Sequence, residues 1–90
     1  MAPEAERTEL DERARKILDF ERGWWLRSGP KEREIRETFQ ISSARYHQEL
    51  NRLIERPEAL TYDPMLVRRL RRLREERRRR RTADRLGVRS

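Results

Sequence analysis

Apolar residues in this chain cluster into a few short stripes, and the spacing within each predicts a helix. Leu10, Ala14, Ile17, Leu18 and Trp25 share one helical face, broadened by Phe20 and Trp24. They predict a first helix of about 15 residues, with Thr8 as its cap and Asp11 three positions on as a weak capping-box partner. Glu9, Asp11 and Glu12 suit the positive end of its dipole. The two tryptophans are expected to supply much of the core, each burying on the order of 200 Å².

Ser28-Gly29-Pro30 breaks the pattern, glycine permitting a left-handed exit and proline a new helix start. Ile35 and Phe39 then hold a second helix from about Lys31 to Phe39, on which Glu32 and Arg36 are spaced to pair. A bend at Gln40-Ile41-Ser42 follows, with Ser42 a cap for a third helix carrying Tyr46, Leu50 and Leu53 or Ile54. Two short amphipathic helices meeting in this way have the spacing of a helix-turn-helix, whose second helix presents its first residues to a DNA groove.

Arg56-Pro57 closes the third helix, and Pro57 to Tyr62 reads as a short connection with Ala59 and Leu60 over the core. Asp63-Pro64 opens the last helix, on which Leu66, Leu70 and Leu73 form a stripe. The next position in register is Arg77. Residues 64–73 should therefore dock on the domain and the following turns project into solvent, with Glu75/Arg79 and Glu76/Arg80 spaced to pair. The expected organisation is a tail over 1–7, a helix-turn-helix domain over 8–73 and an arginine-rich extension over 74–90. The fold class is all-α, a small domain of about four helices with a long arginine-rich last helix.

Composition narrows the function. With 33% hydrophobic and 46% charged residues in 90, the chain has material for one economical core. It has no cysteine and one histidine, His47, which argues against a disulfide framework, thiolate chemistry and a histidine-rich metal site. Neither a glycine-rich phosphate loop nor a nucleophile–base arrangement is visible, so no enzyme, cofactor or metal is expected. No apolar run approaches the roughly 18 residues of a membrane span, and the acidic first residues do not resemble a signal peptide. A cytoplasmic protein without a membrane partner is the expectation.

Charge gives the positive indication. Residues 1–60 carry 12 Lys+Arg against 13 Asp+Glu, whereas residues 61–90 carry 12 arginines against 4 acids, so the net +7 resides in the last third. Such asymmetry points to a polyanion, with nucleic acid foremost. The tract Arg77-Arg78-Arg79-Arg80-Arg81 contains no lysine, and the planar arginine fork suits phosphate. On the third helix, Arg45 and Gln48 are the residue types that read guanine and adenine edges, and Ser43 suits a phosphate. Ser42 can serve as cap and phosphate ligand together. A lone histidine such as His47 on an outer helix face is ordinarily only solvated, with phosphate contact its functional alternative. The candidate DNA-binding set is Ser42, Ser43, Arg45, His47, Gln48, Arg74, Arg77, Arg78, Arg79, Arg80 and Arg81.

Several short motifs add a resemblance. They are Leu18-Asp19-Phe20-Glu21 with Trp24-Trp25, Ile35-Arg36-Glu37, Phe39, Ser42, Arg45-Tyr46, Leu50-Asn51, Arg56-Pro57-Glu58-Ala59-Leu60 and Asp63-Pro64. Over roughly residues 17–74 the chain resembles a small actinobacterial domain family first catalogued as a domain of unknown function, some members of which are described as nucleoid-associated or regulatory DNA-binding proteins. The resemblance implies a bacterial DNA binder in the nucleoid. Where relatives and helix-turn-helix proteins favour glycine, this chain has Gln40, which costs about 1 kcal/mol in a left-handed turn or signals a different one.

The expectation is a non-enzymatic, low-specificity binder of double-stranded DNA, either nucleoid-associated or an accessory transcription regulator. Two alternatives stand beside it: an adaptor for RNA polymerase or a sigma factor, and an RNA or ribosome binder. A homodimer reading two half-sites is compatible with the motif, although no sustained heptad supplies an interface.

Overall fold

Residues 10–24 and 29–85 are described by a computed structural model, and over them the chain is helical with no strand. The first helix, α1 (Glu12–Trp24), starts where the Asp11 carboxylate accepts the Ala14 N–H at 2.7 Å. Asp11 thus caps the helix. Thr8, Trp25 and the tail over 1–7 lie outside the described residues. Leu10, Ala14, Ile17 and Leu18 are buried along the expected stripe.

Helix α2 (Lys31–Phe39) buries Ile35 and Phe39 and leaves Glu32 and Arg36 exposed, without the ion pair expected between them. Its exit is the left-handed turn in question. Gln40 takes φ 57 and ψ 36, its N–H bonds the Arg36 carbonyl, and its side-chain amide reaches back to the Glu37 carbonyl at 2.7 Å. The turn keeps its usual geometry with glutamine in the glycine position. Ile41 then packs against the core, and the Ser42 hydroxyl accepts the Arg45 N–H at 3.2 Å. That cap starts α3 (Ser43–Leu53), which buries Tyr46, Leu50 and Leu53.

The stretch expected to be a plain connection is a fourth helix, α4 (Pro57–Tyr62), which raises the described helices to five. Pro57 at its first position is preorganised for a helix, and burying Ala59 completely fixes the turn against the core. Asp63 then stands before α5 (Pro64–Arg85), its carboxylate accepting the Leu66 N–H at 3.4 Å. Helix α5 runs unbroken for 22 residues, about 33 Å at the usual rise. The molecule is accordingly elongated, 53 × 28 × 23 Å. Neither expected glutamate–arginine pair forms along α5, since Glu75 turns to Arg78 at 3.7 Å instead.

Among the described residues Trp24 is not the aromatic centre of the core. Trp24, the last residue of α1, is half-buried and stacks on Phe20 at 6.0 Å. The centre is Tyr46, fully buried, with Phe39 at 5.3 Å and Phe20 at 5.7 Å. Tyr46 wins because it projects from α3 towards both α1 and α2, so one ring fills the junction of three helices. Its hydroxyl donates to Glu21, which is only 3% exposed and also meets Lys31 at 3.0 Å.

Candidate nucleic-acid interface

Helix α3 divides into flanks that follow from its 100° step. Tyr46, Leu50 and Leu53 face the core. On one flank, Arg45 lies 3.6 Å from Glu49, which also takes a two-pronged contact from Arg13 of α1 at 2.8 and 3.0 Å. The hydrogen bond from Arg13 holds the Glu49 carboxyl below its ordinary range, against the opposing effect of burial. Gln48 and Ala44 stand exposed between the flanks. The other flank, His47 and Asn51, faces α5.

Helix α5 meets it with arginine. Leu66 and Leu70 are buried on one stripe, and the same stripe continues past the edge of the core as Arg74, Arg77 and Arg81. Where the leucines touch the domain, these arginines overhang α3. The result is an open groove of about 410 Å³ lined by His47, Asn51, Arg74, Arg77, Arg80 and Arg81. Among the described residues no carboxylate lines it. Arg77, Arg80 and Arg81 are exposed and have no ion-pair partner among the described residues.

The fold thus brings together five of the eleven candidates and disperses the rest. Ser42 is exposed and engaged as a cap. Ser43 is half-buried, its hydroxyl 3.3 Å from His47 Nδ1. Arg45 and Gln48 lie outside the groove, around the first turns of α3. Arg78 pairs with Glu75, and Arg79 lines an adjoining shallow surface with Glu76, Ala83 and Arg80, which borders both. His47 is half-buried rather than freely solvated. Its Nδ1 lies 2.8 Å from the Ser43 carbonyl and its ring stands edge-on to Tyr46 at 5.3 Å. Asn51 is a groove residue that the pattern did not single out, although it sits one turn beyond His47 on the same flank.

Arg74 differs from its neighbours. Only 19% of its side chain is exposed, one guanidinium nitrogen donates to the Asn51 carbonyl at 3.3 Å, and the other forms an ion pair with Glu55. Arg71, one turn earlier on α5, donates from Nε to the Ile54 carbonyl at 2.5 Å. The hydrogen bond and charge of Arg74 hold the Glu55 carboxyl below its ordinary range.

Among the described residues no cluster of histidine, aspartate and glutamate is placed to hold a metal ion, and no helix is long and apolar enough to cross a membrane. The chain belongs to the DUF3263 family of proteins of unknown function, whose model matches residues 9–82. The match takes in α1 to α4 and α5 as far as residue 82, the arginine tract included. No curated protein and no solved structure matches the chain.

Proposed function

We propose that this member of the DUF3263 family is a non-enzymatic binder of double-stranded DNA with low sequence specificity, acting in the bacterial nucleoid as an architectural protein or accessory transcription regulator. The observation that carries the reading is the groove between α3 and α5, in which arginines, a histidine and an asparagine converge without a carboxylate. A phosphodiester strand is the ligand whose charge and acceptor oxygens match that lining. With one strand in the groove, the first turns of α3 lie alongside, and Arg45 and Gln48 are the side chains with base-reading chemistry. Glu49 holds Arg45 by a weak exposed pair, so few strong base contacts are on offer. Backbone contacts therefore supply most of the affinity and little of the selectivity.

The test is a salt series on random, AT-rich and GC-rich duplexes. The logarithm of affinity should fall steeply with the logarithm of salt, with a slope reflecting about 4–8 phosphate contacts at roughly 0.9 each. Preference among the duplexes should stay within about a hundredfold, the reach of two base contacts at the low end of about 1–3 kcal/mol each. A shallow slope with a thousandfold preference for one duplex would make the chain a sequence-specific regulator instead. Tighter binding to structured RNA than to any duplex would move the function to RNA.

A further inference from the structure

The last helix is held to the second helix of the helix-turn-helix at one end only, and the contacts there are unusual in kind. Helix α3 ends at Leu53, and the N–H groups of Ile54, Glu55 and Arg56 take the carbonyls of Leu50, Arg52 and Leu53. Two of the carbonyls in this region, those of Asn51 and Ile54, are taken by arginine side chains of α5: Arg74 at 3.3 Å and Arg71 at 2.5 Å. Glu55, just past the end of α3, completes the junction by pairing with Arg74. Cations at a helix C-terminus also meet the negative end of its dipole. The three contacts occupy one turn of α5, at the end of the groove where Arg74 forms part of the lining.

We propose that Arg71 and Arg74 are positioning residues, which dock α5 on the carboxyl end of α3 and so hold the basic groove open at a fixed width for a phosphodiester strand. The inference rests on the reading of the groove as a DNA-backbone site, and it assigns Arg74 a different part in that site from Arg77, Arg80 and Arg81. Both terminal nitrogens of Arg74 are engaged by protein acceptors, whereas the other three line the groove without an ion-pair partner among the described residues. Beyond Arg74 the distal turns of α5 bury no apolar side chain, so past the packed Leu66, Val67 and Leu70 this junction is the last tie between the helix and α3 among the described residues. A groove assembled before binding spares the ordering cost that a loose arginine helix would incur on contact with DNA.

Charge-conserving variants of the full-length protein separate the two roles. Arg74→Lys keeps a cation but lacks the fork that reaches a carbonyl and a carboxylate together. Glu55→Asp keeps the anion but shortens its reach. Both should lower affinity for a mixed-sequence duplex several-fold, with log–log salt plots parallel to that of the unaltered protein. Arg81→Ala, which removes a groove contact, should instead reduce the slope by about 0.9. In the DNA-free protein, Arg74→Lys should also speed amide hydrogen exchange in residues 77–85 while leaving α1 to α3 protected. Unchanged affinity and exchange in both charge-conserving variants would overturn the proposal. So would Arg74→Ala reducing the slope as Arg81→Ala does, since that would make Arg74 a phosphate ligand. If the unaltered protein binds no nucleic acid, the functional reading fails, and the exchange measurement still decides whether the junction orients α5.

Discussion

The Tyr46 hydroxyl donates to the Glu21 carboxylate inside the junction of α1, α2 and α3, where Glu21 is 3% exposed and Lys31 supplies the compensating charge at 3.0 Å. A carboxylate in the core would be strongly unfavourable alone, and it is stable here because both neighbours satisfy it. The contact also fixes the rotation of α3, because Tyr46 can reach Glu21 in only one helical phase. The phase determines which flank of α3, His47 and Asn51, turns towards α5.

Tyr46→Phe should therefore destabilise the domain by about 1–3 kcal/mol despite conserving volume, since it leaves Glu21 one donor short. The effect should depend on pH in a defined direction. Burial first, then the charge of Glu21, push the Tyr46 hydroxyl well above its ordinary value near 10. A raised value means the folded state holds a proton that the unfolded state releases, so this stabilisation is complete below about pH 10 and is lost as pH rises above it. Urea titrations from about pH 8 to 11 should show the gap between Tyr46→Phe and the unaltered protein closing at the alkaline end.

Gln40→Gly tests the turn between α2 and α3. A left-handed conformation costs an ordinary residue roughly 1–2 kcal/mol, and glycine avoids this at some expense in unfolded-state entropy. The Gln40 amide bond to Glu37 offsets part of the cost and would be lost. The net expectation is a gain of about 0.5–1 kcal/mol, a rise in Tm of a few degrees for a domain of this size. A fall in Tm on calorimetry would mean that the side-chain bond outweighs the backbone cost.

Removal of residues 75–90 should leave a folded helical domain, because the buried part of α5 ends at Leu70 and the Arg71 and Arg74 contacts are retained. DNA affinity at moderate salt should fall at least tenfold, about 1.4 kcal/mol. Anisotropy titrations of the two forms measure this directly, and equal affinities would remove the arginine helix from the interface.

Arg45→Ala should act on selectivity. Its ion pair with Glu49 at 3.6 Å is an exposed one whose loss changes stability by less than about 0.5 kcal/mol. Binding should weaken most on whichever duplex the unaltered protein prefers, with little change in salt slope beyond a single contact. A melting temperature lowered as far as by Tyr46→Ala, expected to cost roughly 3 kcal/mol, would show that the assigned phase of α3 is wrong.

The sequence by itself determined the helical class, the bend at Gln40-Ile41-Ser42, the Ser42 cap and nearly every core position from Leu10 to Leu70. These features depend on spacing within about four residues, and local periodicity reports such spacing directly. It also located the charge excess and the register by which a leucine stripe becomes an arginine stripe. Other features were decided only by the tertiary structure. Pro57 to Tyr62 becomes a helix because Ala59 is buried from outside the segment. Glu21 becomes a core residue because Tyr46 and Lys31, remote in sequence, come to meet it. Arg74 is separated from the other arginines by Asn51 and Glu55, acceptors about twenty positions earlier in the chain. The groove itself belongs to this second kind, since it exists only where α5 crosses the end of α3. A periodic pattern records which face of a helix is buried, but a polar side chain takes its role from the partner that packing brings within about 3 Å.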